Sequence, residues 1–279
     1  MVSAETTDDS TLFPFAFDIR SEDNSKNMLK VELDKKSPSS VYYCNLRSVY
    51  EDNYPAKFNE ELAHMLIQQY TDAGDLVMDP MAGSGVISLV AYSLGRKIWY
   101  QDINEKAKDL FVKKLEKLRP QQFIDCEFIH VADSCCKIAA KPNSVDLILT
   151  SPPFGLSIDA AHESYSDNPD DLGNSPSYEM WRIKMKKIMA NCFQVLKPGK
   201  LMIIETRPRS MKRVSYPLNV WVTIDGMEHV GFEFFTEFIE LVPPYRIWTY
   251  GDFDQRKPIP MHCNLTILRK PINEKIARW

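Results

Sequence analysis

The stretch that most constrains this chain is a buried strand that runs straight into two prolines. Val145–Thr150 is largely apolar after one acid, which is typical of a parallel strand covered on both faces. The tetrapeptide Ser151-Pro152-Pro153-Phe154 follows at once. Neither proline has an amide hydrogen, and the second restricts the first to extended conformations, so the backbone should leave the strand stiffly. Either this is an ordinary loop with a core phenylalanine, or its hydroxyl and flat ring belong to a site.

Strands and helices alternate around this stretch. The predicted strands are residues 75–79, 97–102, 127–133, 145–150, 201–205, 232–242 and 263–268, with the last one antiparallel. One predicted helix begins after Asn59, and others cover 86–94, about 104–118 and 180–196. This alternation predicts an α/β fold with a mostly parallel sheet, right-handed crossovers and helices on both faces.

Length and composition favour one large domain with a small appendage. A chain of 279 residues with 44% hydrophobic content can bury a substantial core without disulfides. Residues 1–45 are polar apart from one apolar island, and they are predicted to form a partly ordered N-terminal arm. Residues 46–279 are predicted to form the α/β domain.

The composition also limits the partners and the compartment. The net charge of -4 gives no global attraction to nucleic acid, so such a partner must be bound by a local patch. The six cysteines include no C-x-x-C pair and the five histidines show no ligand spacing, so the thiols are expected to be reduced and no metal is assigned. The absence of a long apolar run or a leader-like N-terminus predicts an intracellular protein, cytoplasmic or nucleoid-associated.

Three strand ends before the tetrapeptide carry signals of ligand binding. Asp79 precedes Gly83 and Gly85 in a D-x-x-x-G-x-G pattern, whose glycines let the chain turn tightly and approach a ligand. Asp102, 17 residues past Gly85, is placed to accept both hydroxyls of a ribose. Asp133 can accept from an exocyclic amine such as that of adenine. Because the carboxyl ends of parallel strands meet at one edge of a sheet, these signals predict a nucleotide-like ligand there.

With these residues the sequence resembles the S-adenosylmethionine-dependent amino-methyltransferases of nucleic acids, and most of all the N4-cytosine DNA methyltransferases. Asp79–Gly85 matches the cofactor loop of that family, and Tyr54–Phe58 resembles the segment that helps to hold the methionine end of the cofactor. Thr150–Phe154 matches the catalytic tetrapeptide with its preceding residue. Over residues 50–270 the resemblance implies a Rossmann-like class I methyltransferase with a seven-stranded sheet, and S-adenosyl-L-methionine as the cofactor.

The resemblance implies which residues bind and react. Ser151 and the carbonyl of Pro152 would accept hydrogen bonds from the target amine, and Phe154 would stack on the base, with Pro153 completing the catalytic set. The cofactor-binding residues are predicted to be Lys57, Phe58, Asp79, Pro80, Ala82, Gly83, Ser84, Gly85, Asp102, Ile103, Asp133, Ser134 and Thr150. In a duplex, the target base must first be flipped out of the stack.

Basic and aromatic side chains near the tetrapeptide are candidates for contacting nucleic acid. Four basic residues follow the fifth strand and could contact phosphates, with a solvated basic loop as an equal alternative: Arg207, Arg209, Lys212 and Arg213. Residues 157–178 have loop chemistry and are predicted to form a mobile lid that touches the target. Tyr165, Tyr178 and Trp181 could stack on bases, although core packing is favoured for Trp181.

The choice of substrate leaves several alternatives open. Serine at the first position of the tetrapeptide goes mainly with cytosine N4 in this family, whereas Asp or Asn goes mainly with adenine N6. N4 methylation of cytosine in DNA is therefore the leading interpretation. Structured RNA such as rRNA comes second, favoured by the small size, the acidic charge and the lack of a visible target-recognition domain. The cofactor loop precedes the tetrapeptide, unlike the usual order, but this order does not decide between DNA and RNA. An adenine N6 target and a catalytically silent partner subunit stay open. A protein-glutamine methyltransferase is less favoured, because that family carries Asn at the position of Ser151.

Overall fold

The computed structural model describes the backbone of residues 41–43 and the residues 58–118, 128–154, 156, 166–210, 215–241 and 262–272. Most of the predicted N-terminal arm lies outside these described residues, and so do Lys57, Tyr165, Lys212 and Arg213. All described residues fall in one compact unit that spans residues 37–279. The predicted boundary at residue 45 stays a prediction, although the strand at residues 41–43 already joins the sheet of this unit.

An eight-stranded sheet carries the fold. Its strands, with the two strands of a separate small hairpin, are β1 Val41–Tyr43, β2 Leu76–Asp79, β3 Lys97–Asp102, β4 Ile129–Val131, β5 Val145–Thr150, β6 Leu196–Thr206, β7 Arg209–Ser210, β8 Ser215–Tyr216, β9 Glu233–Leu241 and β10 His262–Arg269. The order across the large sheet is β1-β9-β10-β6-β5-β2-β3-β4, and only β10 runs antiparallel to its neighbours. The predicted mostly parallel sheet with an antiparallel last strand is confirmed, and β1 adds an edge strand to the seven that the sequence predicts.

Helices cover both faces of this sheet. They are α1 Glu60–Tyr70, α2 Val86–Ser93, α3 Glu105–Leu118, α4 Tyr178–Val195 and α5 Leu218–Asp225, the last continuing into a π-helical turn at Gly226–Val230. The predicted cap of α1 is present, since the side chain of Asn59 accepts a hydrogen bond from the amide of Leu62 at 3.1 Å. Ser177 caps α4 in the same way. The sequence did not predict α5.

The core consists of two main apolar layers, one on each side of the sheet. On one side, buried residues of α1 and α2, such as Leu66 and Ile87, pack with Leu149 of β5 and Ile203 of β6. On the other side, buried residues of α4 and α5 pack with the opposite faces of the same strands. Because β5 and β6 are covered on both faces, their side chains are buried almost throughout, which explains their continuous apolar sequence.

Two strands differ from their predicted bounds. The strand predicted at residues 127–133 is reduced to the three residues of β4. The turn predicted at residues 197–200 lies within β6, where the register with β5 shifts and Gly199 has a φ of +78°. The amide of Gly199 donates a hydrogen bond to the carbonyl of Lys270 at 2.8 Å. The residue that follows β10 thus supplies a hydrogen-bond partner for this irregular part of β6.

In the described part of the chain, no helix is long and apolar enough to cross a membrane. The four cysteines that the structure describes, Cys135, Cys136, Cys192 and Cys263, are unpaired, as predicted for reduced thiols. The strand order reverses between β2 and β5, which is the position where open α/β sheets bind their ligands. The loops after β2, β3, β5 and β6 therefore surround the expected site.

Candidate active site

The glycine loop after β2 is shaped by packing as well as by ligand approach. Gly83 and Gly85 have φ values of +51° and +82°, a backbone region that favours glycine. Gly85 is the N-cap of α2, and a Cβ atom on it would collide with the ring of Phe111 in α3. The carbonyl of Gly83 accepts a hydrogen bond from the hydroxyl of Tyr100 at 2.7 Å. The missing side chain of Gly85 thus makes room for the core rather than for a ligand.

Asp79 ends β2 and is buried. Its Oδ1 accepts hydrogen bonds from the hydroxyl of Thr150 at 2.8 Å and from the amide of Met81 at 3.1 Å. Burial raises the pKa of Asp79 to about 7, against the effect of these two donors, and the nearby charge of Asp102 raises it further. Thr150, a predicted cofactor contact, therefore links the end of β5 to the start of the glycine loop.

Asp102 ends β3 and holds the glycine loop through the main chain. Its Oδ2 accepts from the amide of Gly83 at 2.7 Å, and its Oδ1 accepts from the amide of Asn104 at 2.8 Å. Burial raises its pKa to about 6, and the charge of Asp171 contributes to the rise. The amide of Ile103 also donates to this carboxylate, so three of its roughly four acceptor sites are used and one remains for a ribose hydroxyl.

The third strand end differs from its prediction in the role of Ser134. This predicted cofactor contact is buried, and its hydroxyl donates to the carbonyl of Pro80 and accepts from the side-chain amide of Gln101. Ser134 therefore braces the glycine loop from inside the protein. Asp133 is partly exposed, with Oδ1 accepting from the amide of Cys135 at 2.8 Å, and its contact with adenine stays a prediction.

The other predicted cofactor contacts are largely interior side chains. Phe58 is buried in the core layer of α1 and α2, and Ala82 and Ser84 are also buried. The carbonyl of Ser84 accepts from Lys114 Nζ at 3.1 Å, which ties the loop to α3. Pro80 is buried as well, whereas Ile103 is partly exposed, so among these Ile103 is the one placed near solvent.

The tetrapeptide after β5 is anchored by α4. The indole Nε1 of Trp181 donates to the carbonyl of Pro153 at 2.6 Å, and the hydroxyl of Tyr178 donates to the carbonyl of Phe154 at 3.4 Å. Trp181 is fully buried, which confirms its expected core role. The alternative of base stacking is wrong for Tyr178, because its ring is buried and stacks on Tyr216 at a centroid distance of 4.2 Å.

Ser151, the first residue of the tetrapeptide, is partly buried and donates a hydrogen bond to Glu205 of β6. Glu205 is also bonded to Glu240 of β9 and to the thiol of Cys263 of β10. Burial and the charge of Glu240 raise the pKa of Glu205 to about 8. Sequence analysis missed this cluster, because its members lie on three strands far apart in the chain, and only the acid at the end of the fifth predicted strand hinted at it.

In the described part of the chain, only this cluster brings three potential metal donors together, with their donor atoms within 4.8 Å of one another. Glu205 already bonds to the other two side chains and to Ser151. We therefore assign the cluster hydrogen-bonding chemistry and no metal.

Comparison with known proteins finds a family model that is similar to the first part of this chain. Residues 11–113 match the model of a family of N6 and N4 methyltransferases, described as DNA methylase. This match includes the glycine loop and Asp102, and it ends before the tetrapeptide. The resemblance to the DNA methylases is confirmed. S-adenosylmethionine, the cofactor of these methyltransferases, is confirmed with it.

A curated relative comes from a different branch of methyltransferases. The release factor glutamine methyltransferase of Borreliella burgdorferi is 27% identical over 154 residues, which cover 53% of this chain and 50% of the relative. This chain therefore spans about half the length of that relative.

Solved structures show the same fold at low sequence identity. TrmN from Thermus thermophilus superposes with a TM-score of 0.51 and 18% identity, over 78% of this chain and 51% of that protein. The [4+2]-cyclase SpnF superposes with a TM-score of 0.53 and 14% identity, over 82% of this chain and 89% of that protein. The class I methyltransferase fold is thereby confirmed. Because one of these neighbours is a cyclase, the likeness shows the fold alone.

The basic segment beside the methyltransferase site is only partly described. Arg209 lies in β7, which pairs antiparallel with β8. Arg207 is partly buried, and its positive charge partly opposes the rise that burial causes in the pKa of the Cys263 thiol, which places it near the Glu205 cluster. Lys212 and Arg213 lie outside the described residues. Phosphate binding by the four stays a prediction.

The predicted lid is fixed over its described part. Asp171 accepts from the hydroxyl of Ser166 and from the amide of Gly173, and it is buried. Asn174 Nδ2 donates to the carbonyls of Ser166 and Asn168, both at 2.8 Å. These hydrogen bonds fix the described part of the segment. The prediction of a mobile lid therefore concerns residues 157–165, which lie outside the described residues.

Proposed function

We propose that this chain transfers a methyl group from S-adenosylmethionine to the exocyclic N4 amine of cytosine in DNA. The observation that carries the proposal is the hydrogen bond from Ser151 to Glu205. A hydroxyl has one proton and two lone pairs, so a serine that donates to Glu205 presents only lone pairs to the target. Such a group accepts from an N–H donor, as an exocyclic amine requires. The match to the DNA methylase family supports nucleic acid as the acceptor.

The described residues fit the cofactor. Asp102 keeps one acceptor site for a ribose hydroxyl, and the glycine loop that it fixes lies at the point where the strand order reverses. When bound, S-adenosylmethionine supplies a methyl group on a positively charged sulfur. Asp133 and Ile103 are partly exposed and are proposed to contact the adenine and the ribose side of the cofactor.

The tetrapeptide would position the target rather than act as a strong base. The lone pair of the cytosine amine is delocalised into the ring, so it must be turned towards the methyl group. Hydrogen bonds from the amine to Ser151 Oγ and to the carbonyl of Pro152 would favour that geometry, and Phe154 would hold the ring by stacking. Because Trp181 and Tyr178 fix the following two carbonyls, the tetrapeptide is a rigid platform for this purpose.

The test is methyl transfer from labelled S-adenosylmethionine to DNA and to total RNA in parallel, with nucleoside mass spectrometry of the products. We expect N4-methyldeoxycytidine in DNA with the wild-type chain, and none with Ser151→Ala. Ser144→Ala is the matched control, because Ser144 lies at the opposite end of β5 and its hydroxyl bonds only locally to Lys141. Cofactor binding without any methylated product would contradict the proposal and favour a silent partner subunit.

The same experiment separates the other nucleic-acid substrates. N4-methylcytidine in RNA alone would show that the enzyme modifies RNA with the same site. N6-methyladenine among the products would show that adenine is the target base. Any of these acceptors implies an intracellular location, because the enzyme must meet the nucleic acid of the cell.

A second candidate function is methylation of a glutamine side chain in a protein. The similarity to the Borreliella burgdorferi glutamine methyltransferase favours it, since an amide nitrogen is also a planar N–H donor. The serine at position 151 argues against it, because that family carries Asn there. A third arm of the same assay, with a release factor as acceptor, decides between the two: label on the protein and none on nucleic acid would support the glutamine target.

A further inference from the structure

Four side chains form a row across four adjacent strands next to the proposed target site. Ser151 directly follows β5, Glu205 lies on β6, Cys263 on β10 and Glu240 on β9. Cys263 is the Cα partner of Glu240 in the pairing of β10 with β9, and β10 pairs Leu265 with Glu205. Cys263 and Leu265 are two residues apart in β10 and therefore lie on the same face of the sheet. Residues paired across strands also share a face, so Cys263, Glu240 and Glu205 all point to the same side.

This row is buried. Glu205 is 6% exposed and Glu240 and Cys263 are each 5% exposed. Glu205 is hydrogen-bonded to Ser151, to Glu240 and to the thiol of Cys263. Two carboxyls in contact inside a protein cannot both ionise at neutral pH, because each charge disfavours the other and burial disfavours both. The pair therefore holds one shared proton, which agrees with a pKa of about 8 for Glu205.

Among the described residues, a thiol and an arginine lie next to this carboxyl pair. Burial and the two carboxylates raise the pKa of the Cys263 thiol well above its usual value, so the thiol stays a neutral donor. Arg207 contributes a positive charge near the thiol from the end of β6. The nearby Glu237 faces the opposite side of the sheet, where it accepts from Asn264 and Asn219.

We propose that Glu205 and Glu240 form a proton relay behind Ser151, in which Glu205 fixes the serine hydroxyl as a hydrogen-bond acceptor and the carboxyl pair takes up the proton that the methylated nitrogen releases. This inference rests on the proposed function, because it assigns further residues to the same reaction. Glu205 acts through Ser151 and is a positioning residue, and Glu240 is the end of the relay.

The step balances in atoms and electrons. The target nitrogen uses its lone pair to form the N–C bond as the S–C bond of the methyl donor breaks, and the electron pair of that bond stays on sulfur. The nitrogen then carries a positive charge and an excess proton. That proton passes to Ser151 Oγ, the hydroxyl proton passes to Glu205, and the proton shared by Glu205 passes to Glu240. The products are a neutral methylated amine, an unchanged serine and a fully protonated carboxyl pair.

The relay also gives the site a means of selection. Since the only hydroxyl proton of Ser151 is donated to Glu205, the serine can pair with the N–H of an amine or amide but cannot donate to a carbonyl oxygen. A pyrimidine with a carbonyl in place of the amine, such as uracil, would leave two acceptors facing each other. Because a buried acceptor without a donor is unfavourable, the site would reject such a base.

The kinetic test compares Glu205→Gln and Glu240→Gln with wild type in single-turnover methyl transfer over a range of pH. Glutamine at position 205 keeps an acceptor for Ser151 but cannot share a proton, so folding and cofactor affinity should be retained. We expect the transfer rate to fall about tenfold or more, as for loss of a proton-transfer group. The singly protonated pair can accept a proton, and the fully ionised pair accepts one more readily, so the wild-type rate should rise further as Glu205 ionises at about 8, and this rise should be absent in Glu205→Gln. Glu237→Gln is the matched control and should behave as wild type.

Infrared titration tests the shared proton without a substrate. Wild type and Glu237→Gln should show a protonated carboxyl band with a component that disappears near pH 8, above the component of Asp79 near pH 7, and Glu205→Gln should lack the component near pH 8. A Glu205→Gln variant with the rate and pH profile of wild type would overturn the relay, as would the absence of the band in wild type. A wild-type chain that methylates no acceptor would contradict the proposed function, and the relay with it. Transfer that proceeds but does not depend on Glu205 would overturn the relay alone.

Discussion

The two halves of the sheet hold their buried acids in different ways. In the cofactor half, Asp79 and Asp102 end neighbouring strands, and both accept hydrogen bonds from amides of the loops that follow. In the target half, Glu205 and Glu240 are hydrogen-bonded to each other, and Glu205 is also hydrogen-bonded to the side chains of Ser151 and Cys263. Burial raises the pKa of an acid in both halves, but only the target half places two carboxyls together.

The two arrangements suit different functions, namely rigid binding of a ligand and transfer of a proton. A main-chain amide neither titrates nor changes rotamer, so a carboxylate fixed by amides is a rigid acceptor for binding. A carboxyl pair that shares one proton can take up or release another with small movements of its atoms. In the proposed function, the cofactor half binds and the target half moves a proton.

The largest expected effect on stability tests the rigid half. Gly85→Ala forces an L side chain into a φ of +82° and drives its Cβ into the ring of Phe111. Overpacking and backbone strain together should lower the free energy of unfolding by roughly 2–4 kcal/mol. Urea denaturation of the purified chain would measure this loss.

Gly74→Ala is the matched control for this substitution. Gly74 has a similar φ of +88°, but no atom lies within 4 Å of the position that a Cβ would take there, so only the backbone term of about 1–2 kcal/mol should remain. Equal losses in the two variants would show that the contact with Phe111 does not constrain the glycine loop.

The dependence of stability on pH should separate the two halves. The carboxyls of Asp102, Asp79 and Glu205 have pKa values raised to about 6, 7 and 8. Each binds its proton more tightly in the folded chain than in the unfolded chain, so its contribution to stability is complete at low pH and is lost as the pH rises through the folded pKa. Between pH 7 and 8 only Glu205 of the three still contributes, and stability should fall there by up to about 1.4 kcal/mol per pH unit.

Denaturation at several pH values would check this slope. Glu205→Gln should remove the fall between pH 7 and 8, whereas Glu237→Gln should keep it. A slope that persists in Glu205→Gln would mean that another group titrates in this range, and the carboxyl pair would lose its assigned role.

The smallest expected effect concerns the anchor of the tetrapeptide. Trp181→Phe removes the hydrogen bond to the carbonyl of Pro153, which should cost about 1 kcal/mol of stability. Methyl transfer should fall a few-fold, because Ser151 and Phe154 would be held less firmly. Trp99→Phe is the control, since the buried Nε1 of Trp99 has no hydrogen-bond partner among the described residues. Equal effects of the two variants on transfer would argue that the anchor does not position the tetrapeptide.

The sequence predicted the cofactor half well because its signals are local. The pattern from Asp79 to Gly85 joins a strand to a helix within seven residues, and Asp102 directly ends the next strand. Periodicity and caps likewise placed four helices within a few residues of their observed ends. Propensity and turn chemistry act over such short distances, so a single sequence displays them.

The target half depends on contacts that a sequence does not display. Glu205, Glu240 and Cys263 come together only because the last strand inserts antiparallel between β9 and β6. Ser134 was predicted to face the cofactor, but the direction of its side chain is set by a buried amide from β3. The helix α5 was missed because four of its eight residues, Val220, Val222, Thr223 and Ile224, are β-branched and favour a strand.

The most direct test of the division between the halves measures cofactor affinity and methyl-transfer rate on the same two variants. Asp102→Asn loses a charged acceptor of the cofactor half, so the affinity for S-adenosylmethionine should fall about tenfold or more while transfer recovers at saturating cofactor. Ser151→Ala should keep wild-type affinity and lose transfer at every cofactor concentration. A Ser151→Ala variant that binds the cofactor poorly, or an Asp102→Asn variant that stays inactive at saturation, would contradict the account.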